Sequence, residues 1–546
     1  MTFPKLRSFV AGVAATLLLA ACAAPSTGAP PAGGGGAESG PKPGGVIRID
    51  VNAETETLNP MLKDGPTQQL ALGGIYNPLL RLEMGEQVGY TGSKVLPNMA
   101  ESWQVSPDAA EYTFTLRKDL KWQNKPPVNG RAITSEDIKY NLLRFRDEKV
   151  SMAKFIVQEI ADVQTPDPYT VKIKTARPFV PFIAYMAWDK ALFHPRELVE
   201  QKLLDTVAIG SGPFMLDSFQ RGAVWHFKKN PDFFLKDAAG RQLPYVDGYD
   251  ALVLPDQSTQ MAAFVAGQVD VCGECQRAGS PAADQMRASV PKAVFVSVAD
   301  PGGTEIYMSN NKPPFNDVRV RQAMRIGLDP MGMIQALSKG QSQLNVAGIG
   351  TAYTQWALPA DEVKALYPHD LAKAKQLLRD AGYTNGGPAL IMHTANNNRT
   401  VMTYAELLQA QMKEIGFDVK MTIVEWAEII QRRRSGDYQI FVNGKSQEID
   451  PDGNLATVYS SKGDVNYSRI NDPQLDTMLD KQRTILDTAE RKKLIQDIVR
   501  RIADQAYALN PVADQRFIYW QPYLKGYYPH MYWGWGQKFL TAWLDK

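Results

Sequence analysis

Between residues 388 and 444 the hydrophobic pattern switches period four times, and that alternation constrains the fold more than any other feature. "PALIMHTA" (388–395) reads as a strand. "TVMTYAELLQAQMKEIG" (400–416) follows as a helix, with Leu407, Met412 and Ile415 expected inward and Gly416 closing it. "FDVKMTIVE" (417–425) returns to strand, "WAEIIQRRRSG" (426–436) to a helix stopped by Gly436, and "DYQIFVNG" (437–444) to strand. Strands separated by helices of this length imply βαβ units and a mostly parallel sheet. Ligands of such sheets sit in the crevice outside the carboxyl ends of the strands. The pattern therefore directs attention to "EW" (425–426) and "VNGKSQ" (442–447).

Other stretches extend the α/β reading. "GGVIRIDV" (44–51), "EYTFTLRKDLKW" (111–122) and "PYTVKIKTARP" (168–178) alternate as strands do. "TSEDIKYNLLRFRD" (134–147) opens a helix, Thr134 and Asp137 having capping-box spacing. "HDLAKAKQLLRDAGY" (369–383) is another helix, with Asp370 at its start and Gly382 at its end. No internal repeat of about 20–50 residues is present.

The chain begins "MTFPKLRSFVAGVAATLLLAAC". Lys5 and Arg7 precede an apolar run from Phe9 to Ala21, which is shorter than the roughly 20 residues a bilayer requires. This is the pattern of a secretory signal, residues 1–21. "LAAC" (Leu19–Cys22) resembles a bacterial lipobox, which implies lipidation of Cys22; an ordinary signal with an incidental cysteine is the alternative. Acyl chains would anchor the protein with no helix crossing the membrane. Residues 22–45, rich in Gly, Pro, Ala and Ser, then read as a flexible linker.

The remainder is long enough for two or three domains. The formal charge is +2, and removal of Lys5 and Arg7 with the signal brings it to zero, so no electrostatic footprint for nucleic acid exists. Cys272 and Cys275, in "VDVCGECQ", suit a disulfide in an oxidising envelope. A redox-active pair would need a helix opening at the first Cys, and a zinc site would need two more ligands. The five His residues show no metal-binding spacing, so neither a metal nor a cofactor is expected. There is no GxSxG, P-loop or HExxH motif, and no carboxylate pair stands out as acid and base, so no enzymatic activity is expected. "GSGPF" (210–214) reads as a tight turn, and "DPDGN" (450–454) as an Asp-Pro turn lacking the closing Glu of a calcium loop.

Read together, the landmarks resemble the family 5 extracellular solute-binding proteins, which include the dipeptide-, oligopeptide- and nickel-binding components of bacterial ABC importers. "TLNP" (57–60), "IYNPLLRL" (75–82) and "PNMAESWQVSPDAAEYTFTLRKDLKW" (97–122) carry the likeness at the start. "ITSEDIKYNL", "GSGPFML", "KKNPDFF", "AFVAGQVDV", "NKPPFNDVRVRQAM", "AKAKQLLRDAGY" and "DPDGN" continue it in order. Their sequence and spacing are specific where each alone is weak. The resemblance implies an α/β, two-lobed periplasmic-binding-protein-like fold (type II, cluster C). Lobe I would hold residues 46–305, with a subdomain at about 81–205, and the C-terminal return 511–546. Lobe II would hold 306–510. The chain would cross between lobes near Thr304–Asn310 and Asn510–Val512, forming a hinge.

The same resemblance implies capture of a peptide or peptide-like solute and its delivery to an ABC permease and ATPase, by a monomer held at the outer face of a membrane. Peptide binders of this family pair the solute's amine with an Asp four residues before the Pro of the "DP" turn. That position here is Gln447, a neutral amide. The departure brings in non-peptide solutes: a sugar, an opine-like acid or a metal chelate. A ligand-sensing role without transport is a further alternative. Trp426 matches a pocket tryptophan, or is core. Arg433 could pair a carboxylate, or is a solvated charge in "QRRR". Tyr76 and Asn77 fall at the family's first cleft loop, Tyr76 alternatively in the core, and Asn443 lies in the crevice stretch. Trp356, on a Pro-bounded loop, would line the cleft or serve elsewhere on the surface.

Overall fold

A computed structural model describes residues 40–546, apart from positions 56, 63–71, 150, 152, 278–280, 301, 351–352, 354, 385, 397–398, 446–447 and 532–534. The signal segment 1–21, Cys22, most of the linker and Gln447 therefore lie outside the described residues.

The alternating stretch near the start forms the strand Val46–Val51. Ile47, Ile49 and Val51 point into the core at 2 % exposure or less. This strand lies inside an eight-stranded mixed sheet and is parallel to both neighbours, Gly248–Val253 and Val271–Arg277. Beyond them run Val224–Lys229 and Phe214–Gln220 on one side, and Val512–Trp520 and Val294–Asp300 on the other. "GSGPF" leads into the strand at Phe214 with its backbone pressed against another chain segment. The Gly212 amide donates to the Ile75 carbonyl at 2.7 Å. A Cβ on Gly210 would stand 2.1 Å from that same carbonyl oxygen, so no larger residue fits.

The second sheet contains the βαβ region. Its order is Asp418–Val424, Ala389–Ala395, Ile440–Gly444, Thr304–Met308 and Ala508–Leu509. The first three strands are parallel, as the alternation requires, and Thr304–Met308 runs antiparallel to both of its neighbours, Ile440–Gly444 and Ala508–Leu509. One face, with Leu390, Met392, Ile440, Val442, Ile306 and Met308, packs on the helices Val318–Gly327, Pro330–Ser338, Leu371–Asp380 and Arg399–Ile415. In the last of these, Met412 and Ile415 are buried as expected, but Leu408 is fully buried in place of Leu407, which is only half-buried. Tyr404 and Ala405 share the buried stripe with Leu408, Met412 and Ile415. Each such Leu or Ile contributes roughly 1.5–3 kcal/mol by burial.

A four-stranded antiparallel sheet, in the order Ala100–Val105, Glu111–Leu116, Thr170–Thr175 and Ile160–Asp167, forms the third layer. The helix Ser135–Asp147 packs beside it, and the Asp137 carboxylate accepts from the Thr134 amide at 3.0 Å, the back-reaching half of a capping box. This layer docks on residues 448–483 through Arg483. The Arg483 guanidinium holds Asp452 bidentately at 2.6 and 3.1 Å, reaches Glu159 at 4.0 Å and lies 5.5 Å from the Phe179 ring centroid. Its carbonyl accepts from Val180 N at 2.9 Å.

"DPDGN" is not the simple turn expected. Asp450 caps a short helix, Pro451–Asn454, that runs directly into a π-helical turn, Leu455–Tyr459. Its two carboxylates are committed to arginines: Asp452 to Arg483, and Asp450 to Arg491 at 2.6 and 2.8 Å. Trp356 lies beneath this network at 5 % exposure, its ring centroid 5.0 Å from the Arg491 guanidinium carbon. It is a core residue rather than a surface or open-cleft one. Its loop ends in the core because Arg491, far along the chain, offers a cation for the indole face.

The chain leaves the first sheet at Asp300 and enters the second at Thr304; it returns from Leu509 to Val512. Asn510, 1 % exposed, ties the two passages together. Its amide donates to the carbonyls of Gly302 and Thr304, each at 2.9 Å, and its oxygen accepts from Asn345. Among the described residues no helix is long and apolar enough to cross a membrane.

Candidate functional site

The parallel strands 389–395, 418–424 and 440–444 end side by side, and the residues that follow them are Asn396, Glu425 and Lys445. The Asn396 side-chain amide donates to the Glu425 carboxylate at 2.6 Å, bridging two of the strand ends. Lys445 is anchored differently. Its amide donates to Gly303 O at 3.0 Å, and its ammonium lies 2.6 Å from Glu305, both side chains being buried. Tyr459, from the π-helical turn, donates to the other Glu305 oxygen at 2.7 Å. This buried ion pair holds the last parallel strand against the passage that enters the sheet.

Trp426 begins the helix Trp426–Ser435 and is 38 % exposed, unlike every other large aromatic described on this sheet. Arg433 projects from the same helix two turns later. Its guanidinium carbon lies 5.2 Å from the Trp426 ring centroid and 4.6 Å from that of Tyr467. The long side chain leans toward the helix N-terminus, as helical side chains do. Among the described residues no carboxylate forms an ion pair with Arg433, and its buried Nε has no hydrogen-bond partner. Two aromatic faces thus hold a half-buried cation whose charge is not matched locally. Arg469 fixes the helix from its other end by donating to the carbonyls of Arg433 and Arg434 at 3.0 and 2.9 Å. Gly436, at φ 74°, lets the chain turn there.

Behind this pair lies an aromatic floor. Tyr307 stacks on Phe441 at 4.5 Å, and Tyr438 and Tyr467 meet Phe441 at 4.8 and 6.2 Å. Burial pushes the Tyr307 phenol well above its ordinary value, with the Glu305 charge adding to the effect. Burial, helped by Arg432, pushes the His393 imidazole down, so His393 is neutral near pH 7. Its Nδ1 and the Thr394 hydroxyl are buried without a hydrogen-bond partner.

The structure brings together Trp426 and Arg433; Asn443 lies on the strand Ile440–Gly444, separated from the strand before Trp426 by Ala389–Ala395. Asn443 is half-buried and its amide donates to Gly444 O at 3.1 Å. Tyr76 and Asn77 are placed elsewhere, fully buried in the packing of the first sheet. Tyr76 donates to Leu58 O at 3.4 Å. Asn77 donates to Ser211 O at 2.8 Å and accepts from Gln537 at 2.9 Å. Trp356 lies under Arg491. Gln447 lies outside the described residues. Cys272 is fully buried and disulfide-bonded, and the side chain at 275 lies outside the described residues. Asn396, Tyr467 and the Tyr307–Phe441 floor escaped the sequence reading, which reached Glu425 as part of the "EW" pair. Glu425 and Asn396 had a usable signal, since each directly follows a readable parallel strand. Among the described residues no group of three or more His, Cys, Asp or Glu could hold a metal ion.

This arrangement can hold a solute by stacking and charge at the edge of a parallel sheet. Comparison with known proteins agrees. The family model of bacterial extracellular solute-binding proteins, family 5 middle, matches residues 94–466. The dipeptide-binding protein of Escherichia coli is 28 % identical over 491 residues, covering 83 % of this chain and 86 % of the relative. The structure of the periplasmic binding protein DppA from Helicobacter pylori, in complex with the peptide STSA, superposes with a TM-score of 0.73 at 23 % identity, covering 92 % of this chain and 99 % of that one. That of AgaA from A. tumefaciens, in complex with agropinic acid, superposes with a TM-score of 0.75 at 25 % identity, covering 92 % and 99 %. With more than half of its length matched by the family model, the chain belongs to the family 5 bacterial extracellular solute-binding proteins, of the ABC transporter type.

Proposed function

We propose that the protein captures a peptide or peptide-like solute in the crevice at Trp426 and delivers it to a membrane permease of an ABC importer. The stacked, unneutralised Arg433 beside an exposed Trp426 is the observation that carries this reading. A solute carboxylate would supply the missing counter-charge, and Trp426 would cover an apolar part. The two sheets would serve as lobe I (46–305, with the subdomain 81–205, and 511–546) and lobe II (306–510). The paired passages around Asn510 would act as the hinge. Closure brings contacts from both lobes onto the solute, so binding shifts the population toward the closed form. A Kd near 1 μM needs about −8 kcal/mol, within reach of a few buried aromatics and satisfied polar groups. No bond is made or broken. Lipid on Cys22 would keep a monomeric binder at the outer face of a membrane near its permease, and a Cys272–Cys275 disulfide would suit that compartment.

The relatives named above bind different solutes, a dipeptide in one and agropinic acid in another, so a non-peptide acid is the second reading. A thermal-shift panel of di- and tripeptides, opine-like acids, sugars, heme and nickel chelates, run on the purified mature protein, separates the two. A stabilising shift from peptides supports the first reading, and one from acids alone supports the second. No shift from any member, with scattering profiles unchanged, would end the binding-protein reading. Trp426→Ala is expected to weaken the strongest panel member by about 1 kcal/mol or more in calorimetry; an unaltered Kd would take Trp426 out of the pocket. Thiol titration of the native protein is expected to find no fast-reacting thiol at Cys272 or Cys275. Two fast thiols would refute the pairing.

A further inference from the structure

We propose that residues 81–205 act as a strap that fastens lobe I to lobe II through a ladder of alternating charges, so that the solute-free protein closes at low ionic strength and opens as salt rises. This rests on the two-lobe reading above and adds to it a closing force that needs no solute.

The segment is held to its two neighbours in different ways. Toward lobe I the links are main-chain hydrogen bonds. Gln123 N donates to Gly210 O at 2.9 Å, Phe193 N to Asn77 O at 3.0 Å and Met531 N to Tyr90 O at 2.9 Å. Toward residues 306–510, Val180 N to Arg483 O is the one main-chain hydrogen bond among the described residues. A row of charged side chains crosses that seam instead. Asp480 meets Arg177 at 3.3 Å, and Arg177 holds both Glu159 oxygens at 2.6 and 2.9 Å. Glu159 lies 4.0 Å from Arg483, which holds Asp452 at 2.6 Å. Arg177 and Glu159 belong to the strap, and Asp480, Arg483 and Asp452 to lobe II. A second contact lies at Lys190, its ammonium 4.1 Å from the Trp188 ring centroid and 3.7 Å from the Glu448 carboxylate. The faces also match in shape, since a Cβ on Gly453 would stand 3.0 Å from the Tyr185 hydroxyl oxygen.

The ladder runs from water to the interior. The Asp480 and Arg177 side chains are 63 % and 48 % exposed, whereas Glu159 and Asp452 are buried. A cavity of about 340 Å³, lined by Glu159, Arg177, Asp480, Arg483 and the π-helical residues Ala456 and Thr457, opens beside it. Dissolved ions therefore reach the outer rungs and screen them. Polar seams of this kind between parts of one chain part and rejoin more readily than apolar ones. Trp426, Arg433 and Tyr467 contribute nothing to these links, so the ladder acts separately from the crevice.

Small-angle X-ray scattering of the full mature protein without solute tests this, with NaCl as the variable. The parent is expected to scatter as the compact structure at about 0.01 M salt, and its radius of gyration to rise at about 1 M, where the Debye length falls from about 30 to about 3 Å. Glu159→Gln breaks the ladder at its middle and is expected to lower the closed-to-open ratio at low salt about tenfold, equivalent to about 1.4 kcal/mol. Asp480→Lys, at an exposed position, sets a like charge against Arg177 and should open the protein at low salt as well. Arg500→Met removes an ion pair with Glu362 inside lobe II and should leave the parent's salt response unchanged. Circular dichroism and the thermal midpoint establish that each variant folds. A parent that is open at low salt, or compact at both salts, would overturn the proposal. So would ladder variants that keep the parent's profile, or an Arg500→Met that opens as they do. In each of these cases, a thermal shift from any member of the solute panel leaves the solute-binding reading intact. A panel that moves neither the profile nor the midpoint would refute solute binding, and the strap would still stand or fall on its salt response.

Discussion

Arg491→Met is expected to lower the unfolding free energy by about 3–5 kcal/mol, the range measured when one partner of a buried ion pair is removed. Arg491 is 4 % exposed and donates to both Asp450 oxygens, at 2.8 and 2.6 Å, and to the Gln482 side-chain oxygen at 3.1 and 2.8 Å. Without it the Asp450 carboxylate, in a residue 4 % exposed, keeps the hydrogen bond from Asp452 N and faces no cation. Met preserves most of the packing against Trp356, so the loss reports the stranded charge rather than a hole. Chemical denaturation measures it. Combining Asp450→Asn with Arg491→Met should cost less than the sum of the two single changes, because the second removes the charge that the first leaves exposed to a dry environment. An unchanged midpoint in Arg491→Met would show that the network contributes no net stability.

The second large effect concerns affinity. Arg433→Met should weaken binding of a carboxylate-bearing peptide at least 30-fold, about 2 kcal/mol, the lower end of what truncating a buried charge pair costs. The guanidinium already lies between Trp426 and Tyr467, so little ordering remains to be done when a carboxylate arrives. Met fills the same space between the rings without the charge, which leaves the fold intact. Arg433→Lys should recover only part of the affinity, because an ammonium stacks less well and cannot form the bidentate pair. Calorimetry with each peptide and its C-terminal amide checks this. The parent should prefer the free carboxylate, and Arg433→Met should not. Equal affinities in parent and variant would place the carboxylate elsewhere.

Much of this was legible before any coordinates. The strands at 389–395, 418–424 and 440–444, the caps at Asp137 and Asp370, and the stops at Gly416 and Gly436 are all where local pattern puts them. These depend on interactions between residues at most a few positions apart. In the 399–415 helix Met412 and Ile415 face inward as expected, but Leu408 takes the buried place expected of Leu407, because the two are equally apolar and only the packing of the helix on its sheet selects between them. "DPDGN" reads as a turn because its arginines lie 30 and more residues downstream. Trp356 and Trp426 are both tryptophans on or beside a loop, and nothing nearby in the chain separates a core indole from an exposed one.

Residue order alone settled the layer type and the parallel core of the second sheet, and so the edge formed by its strand ends, because period, caps and breakers act over a single turn or strand. Which side chains face that edge was decided by long-range packing. Arg491 covers Trp356, Tyr467 arrives to hold Arg433, and Asn396 reaches across to Glu425. Each of those meetings joins parts of the chain that come near one another only after the layers have stacked.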